Sequence, residues 1–161
     1  MRVMPDREVR PTRRGACKGA VMIEVTWSAL RHSPMYPGDG SSRFAVLSRS
    51  ADAEIQWTWW PSGATSSIHA IAVRTTMIVV SGVLEVEQWC GAGAGWSFTS
   101  ALVTPRSPRV LEPGTYRRVH ARSRATSLSI ETPTCLQFVQ PVSMALVTTL
   151  LEAARHASER E

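Results

Sequence analysis

The sequence predicts an all-β domain, an antiparallel sandwich or barrel, followed by one helix at the C-terminal end. From Arg43 to Glu131 the chain offers short apolar or alternating runs broken by turn formers about every 8–12 residues. Only Val142 to His156 combines apolar residues with good helix formers, after Pro141 and into a charged end. The size agrees: 161 residues with 43% hydrophobic and 19% charged side chains suit one globular domain with a substantial core.

Taken in order, residues 1–21 hold two prolines, many charges and no apolar period, and are expected to form a disordered basic tail. Met22-Ile-Glu-Val-Thr-Trp27 starts the ordered chain, and Met22 is a candidate natural start. Ser33 to Ser42 is dense in proline, glycine, aspartate and serine and reads as a loop. Strands follow at Arg43–Ser48 and at the alternating, aromatic Glu54–Trp60, which stops at Pro61-Ser-Gly63. Met77–Val80 and Val83–Trp89 flank Ser81-Gly82, a two-residue hairpin signal. Gly91 to Gly95 is a flexible turn, outside the strand–loop–helix setting of a dinucleotide-binding glycine motif. Arg109–Leu111, the turn Glu112-Pro-Gly114, Val119-His120 and Ser127–Glu131 complete the run. The expected organisation is tail 1–21, barrel 22–141, helix and end 142–161. Such a helix either covers a barrel's open side or mediates a dimer, so monomer and homodimer both stand open.

The net charge of +5 is concentrated in the first 21 residues, with six basic against two acidic side chains. The rest is almost neutral, which argues against a nucleic-acid binder, because that role needs a basic stripe on a folded face. One lysine beside 17 arginines points to a GC-rich bacterial genome. No apolar run approaches the ~20 residues of a membrane span, and the Arg-rich start lacks the apolar stretch of a secretory signal. Cys17, Cys90 and Cys135 have neither metal-ligand nor disulfide-framework spacing. A cytoplasmic protein with free thiols is expected.

Four histidines can carry chemistry. His69 and His120 lie among the strands beside turns, His32 lies in a loop, and His156 complements the dipole at the helix end. Trp57, Trp59 and Trp60 can line a pocket or pack, and Arg117 and Arg118 read as solvated turn residues.

Ser66-Ser-Ile-His69, Val80-Ser-Gly-Val-Leu-Glu-Val86 and Glu112-Pro-Gly-Thr-Tyr-Arg-Arg-Val-His120 resemble the two motifs of the cupin superfamily. Arg43, Trp60 and His69 occur in the order and spacing of its cysteine dioxygenase (thiol dioxygenase) group. There, too, a late histidine precedes a strand like Ser127-Leu-Ser-Ile-Glu-Thr-Pro133. The resemblance implies a double-stranded β-helix, or jelly-roll, barrel with Arg43 and Trp60 at the substrate and His69 and His120 on a metal.

The chain departs from that pattern at several places. Ile71 stands for the second motif histidine and Thr75 for the motif acid. Thr76 stands near a cross-linking cysteine, Ser129 for a histidine and Glu131 for an active-site tyrosine. Residues i and i+2 of a strand share a face, so Ile71 removes one imidazole from the ion. Two histidines and a carboxylate suit non-haem iron, and Glu131 is the candidate third ligand and catalytic acid.

The leading expectation is therefore a thiol-dioxygenase-like cupin binding Fe(II) through His69, His120 and Glu131. It would take a small thiol or amino carboxylic acid on Arg43 and use O₂. Two alternatives stand beside it: a metal-free small-molecule-binding cupin and a non-oxidative tailoring enzyme on the same fold.

Overall fold

A computed structural model describes residues 32–93, 95–132 and 142–159. The expectations for the tail, the segment from Met22, Cys17 and Cys135 fall outside the described residues. Among the described residues ten strands form two antiparallel sheets. The first holds β1 (Tyr36–Pro37), β2 (Arg43–Arg49), β3 (Glu54–Trp60), β10 (Ala125–Thr132), β5 (Arg74–Ser81) and β8 (Arg109–Leu111), in that spatial order. The second holds β4 (His69–Ala70), β9 (Tyr116–Ala121), β6 (Leu84–Ala92) and β7 (Gly95–Val103). Helix α1 spans Met144–Ser158 and starts at Ser143, whose side chain accepts from the Leu146 N–H.

Strand alternation decides what faces inward. Trp60, Met77, Val79, Leu111 and Ala125 of the first sheet meet Leu84, Val86, Val103, Val119 and Ala121 of the second in one apolar core. Toward the other end of the same strands the inward positions turn polar, with Glu54, Thr75 and Ser129 facing Gln88, Thr115 and Arg117. The barrel is thus closed by hydrocarbon at one end and lined by polar groups at the other.

The structure differs from the sequence reading in three places. Ser81-Gly82 is not a hairpin, because β5 and β6 belong to different sheets and the turn carries the chain across between them. Gly82 has φ +77°, and a Cβ there would lie 2.2 Å from the Arg124 carbonyl oxygen. Its glycine therefore serves close turn packing rather than strand pairing. The true hairpin joins β6 to β7 through the glycine-rich turn, with Ala92 opposite Gly95. β7 lies outside the strands expected from sequence although Trp96-Ser-Phe-Thr99 alternates, and its aromatic positions pack against α1 on the outer face instead of the barrel core.

The third difference concerns α1, which lies against the outer face of the second sheet instead of over the open end. Leu150 of α1 is fully buried with Trp89 and Ile68, flanked by Trp96, Phe98 and Tyr116. Among the described residues no helix is long and apolar enough to cross a membrane.

Candidate functional site

The candidate site is a cavity of about 140 Å³ at the polar end of the barrel. Gln56, Thr58 and Trp60, alternate residues of β3, form one wall, and Phe44 of β2 pairs beside Thr58. Arg117 and Val119 of β9 form the opposite wall, and His69 of β4 sits directly across from Arg117. The loop Gly38–Ser42 and Ser66 close the mouth. Trp60, expected at the substrate, does line this cavity, and its indole N–H donates to the Ser127 hydroxyl at 3.0 Å.

The other expected residues are distributed differently. Arg43 is exposed, because the register that pairs Phe44 with Thr58 turns Arg43 to the outer face. The arginine that reaches the cavity is Arg117, read from sequence as a solvated turn residue. Arg117 is partly buried, and its Nε is fully buried with no hydrogen-bond partner among the described residues. Burial pushes its pKa below the ordinary arginine range, opposed by the nearby Glu131 carboxyl. The missed signal was the alternation itself. Arg117 shares parity with Val119 and Ala121, both core residues, whereas Arg118 and His120 have the opposite parity.

His120 is consequently on the outer face of the second sheet. Its Nε2 lies 3.0 Å from the Glu87 carboxylate and its Nδ1 3.1 Å from the Thr65 hydroxyl. Glu87 also accepts from Arg118 Nε at 2.5 Å, and the Arg118 guanidinium lies 5.7 Å from the Trp89 ring centroid. His120 is a member of a surface ion network and turns away from the cavity.

Glu131 faces inward, paired across the strands with Glu54. Glu54 accepts from Arg49 Nε at 2.5 Å and from Gln56 Nε2 at 2.7 Å. Burial tends to raise the Glu54 pKa, but these bonds outweigh it and hold the group below its ordinary value. Among the described residues Glu131 has no such donors. Burial, then the adjacent Glu54, push its pKa up against the weaker pull of Arg117 and Arg49.

An acid whose folded pKa lies above its unfolded one lends its full stability below the unfolded value and loses it as pH rises through the folded value. Glu131→Gln is therefore expected to raise Tm at about pH 7 and to change it little at about pH 3, where both states are protonated. Thermal unfolding at the two pH values checks this, and an equal Tm at pH 7 would contradict it.

The expected iron triad is thus not assembled. His120 faces outward, Glu131 pairs across the sheet with another carboxylate, Glu54, and the position two residues after His69 is the buried, apolar Ile71. Among the described residues no group of three or more His, Cys, Asp and Glu side chains is placed to hold a metal ion. These residues do not fit the iron that the sequence resemblance implies.

His69 instead pairs with a residue that sequence alone did not single out. Its Nε2 lies 2.8 Å from the Asp39 carboxylate, which also accepts from the Ser67 backbone N–H and, at 3.1 Å, from the Ser67 hydroxyl. Burial works to raise the Asp39 pKa, but the bonds from Ser67 and His69 prevail and lower it. Asp39 sits in a tight 3₁₀ turn, with Gly40 at φ +61° and Ser41 at φ +67°. Only the folded loop brings it within reach of a residue thirty positions later.

No family model and no curated protein matches this sequence. Solved structures do match the fold. An RmlC-like cupin from Shewanella frigidimarina aligns with a TM-score of 0.54 and 15% identity, over 68% of this chain and 91% of that one. The cupin domain of Drosophila melanogaster CENP-C aligns with a TM-score of 0.51 and 12% identity, over 63% and 76%. A variant of oxalate decarboxylase from Bacillus subtilis aligns with a TM-score of 0.53 and 13% identity, over 64% of this chain and 28% of that one. The chain has the cupin fold, and its structural neighbours include both an enzyme and a domain not named for catalysis.

Proposed function

We propose that the barrel binds a small organic carboxylate in its interior cavity, with Arg117 as the anchor and without a metal. The observation that carries this reading is the placement of Arg117, a cation, on the wall of that cavity opposite Thr58 and Trp60. A guanidinium presents its donors as a planar fork that matches a carboxylate bidentately. The remaining wall suits a small polar–apolar molecule, with Gln56, Thr58, Ser66 and His69 beside Phe44, Trp60 and Val119. A thiol acid belongs to this ligand class, but the side-chain placement favours binding through its carboxylate over iron-dependent oxygenation of its sulfur.

The test is ligand-induced thermal stabilisation by 2-oxobutanoate, succinate, benzoate and cysteine. A ligand at 100 times its Kd adds about 2.7 kcal/mol of stability, and the wild-type Tm is expected to rise with at least one of them. Arg117→Met should abolish the rise, because it removes the guanidinium that would hold the carboxylate. Arg43→Met should retain the rise. Equal ligand-induced shifts in wild type and Arg117→Met, or no shift in wild type with any of the four, would overturn the reading.

A further inference from the structure

We infer that Asp39 and His69 form a general acid–base pair that moves a proton on carbon in a carboxylate held by Arg117, so that the cavity takes enolisable 2-oxo acids. This rests on the proposed carboxylate site and adds a chemistry to it.

The geometry supplies each part. His69 and Arg117 are direct cross-strand partners, and both line the cavity. Side chains so paired start about 4.5–5.5 Å apart at Cβ, so the guanidinium and the imidazole open onto the same small cavity. Asp39 is an acceptor-only carboxylate, so its bond to the ring places a proton on His69 Nε2. Nδ1 is then the basic nitrogen, and the ring's only hydrogen bond among the described residues is the one to Asp39. Nδ1 is left for a ligand. His120 makes the contrast, since protein groups occupy both of its ring nitrogens.

The chemistry balances without oxidant or reductant. Nδ1 of His69 removes a proton from C3 of the 2-oxo acid. The C–H electron pair becomes the C2=C3 double bond, and the carbonyl π pair moves onto the oxygen, next to the carboxylate on Arg117. The imidazolium so formed is stabilised by Asp39, exchanges its proton with solvent and returns one to C3. A carbon acid needs the neighbouring carbonyl to receive these electrons, which is why the class is 2-oxo acids rather than saturated carboxylates. His69 is the catalytic residue, and Asp39 is a positioning residue acting through it.

Loss of the C3 proton signal of 2-oxobutanoate in D₂O, followed by ¹H NMR with the full chain, tests the inference. Ligand-induced Tm shifts are measured in parallel. Wild type is expected to accelerate exchange over buffer. His69→Gln keeps a donor for Asp39 at the former Nε2 position but has no basic nitrogen. It should lower the enzyme-dependent rate at least ~100-fold, the usual contribution of a positioned general base, with the Tm shift retained. Asp39→Asn should lower the rate while preserving the Tm shift, a split between rate and binding that a merely structural role would not produce. A wild-type Tm shift with no exchange above buffer, or with exchange equal in wild type and His69→Gln, would overturn the inference and leave the binding reading standing. Absence of a wild-type Tm shift with every carboxylate would instead remove the binding reading and this inference together.

Discussion

Trp89→Ala is expected to destabilise the protein by about 3–5 kcal/mol, the range for emptying a buried tryptophan site. Trp89 is 0% exposed and sits where β6 meets α1. Its indole N–H donates to the Leu150 carbonyl at 2.6 Å, its ring centroid lies 5.3 Å from that of Phe98, and Arg118 stacks on it. Alanine removes all three contacts and leaves a cavity under Leu150, the one fully buried residue of the helix. A 15-residue helix is marginal in water without a packed face, so α1 should come off the sheet and lose its helical circular-dichroism signal. Trp89→Phe keeps most of the volume and should cause a smaller loss. Urea unfolding followed by circular dichroism measures both, and an unchanged midpoint in Trp89→Ala would show that α1 is held by other contacts.

Gly40→Ala is the second large effect, and it is directed at the site rather than the core. Gly40 has φ +61°, and a Cβ there would lie 1.7 Å from the Thr65 carbonyl oxygen and 2.4 Å from its carbon. No side-chain rotation relieves a clash with backbone, so the loop must move away from residues 65–66. Asp39 moves with it and loses both Ser67 and His69. The expected result is a stability loss on the order of 1–3 kcal/mol with loss of 2-oxobutanoate proton exchange. Gly63→Ala is the control, since Gly63 also has positive φ (+79°) but nothing within 4 Å of the added Cβ. It should show the backbone penalty alone, roughly 1 kcal/mol, with exchange intact. Equal Tm and equal exchange in the two variants would contradict the proposed close approach.

Much of the architecture was legible in the residues. The β3 run Glu54–Trp60 and the helix from Met144 follow from local pattern, because a period of two or a capped apolar stretch needs no distant partner to be recognised. The cupin barrel itself agrees with the motif resemblance. The sequence also contained the parity that separates Arg117 from His120, but a motif aligned on a histidine overrode it.

Which faces meet is set by packing between distant segments. Val86 pairs with Val119, both buried in the core, which places Arg117 inside and His120 outside. The apolar pair fixes this register, because a shift of one residue would move every buried side chain of β9 to solvent. The Asp39–His69 contact joins a loop to a strand thirty residues away and depends on a glycine packed against backbone. Local sequence determined that this chain folds as a barrel with a helix on it. Long-range register and loop packing chose the arginine and the histidine that face the cavity, because those choices are set by the burial of residues far apart in the chain.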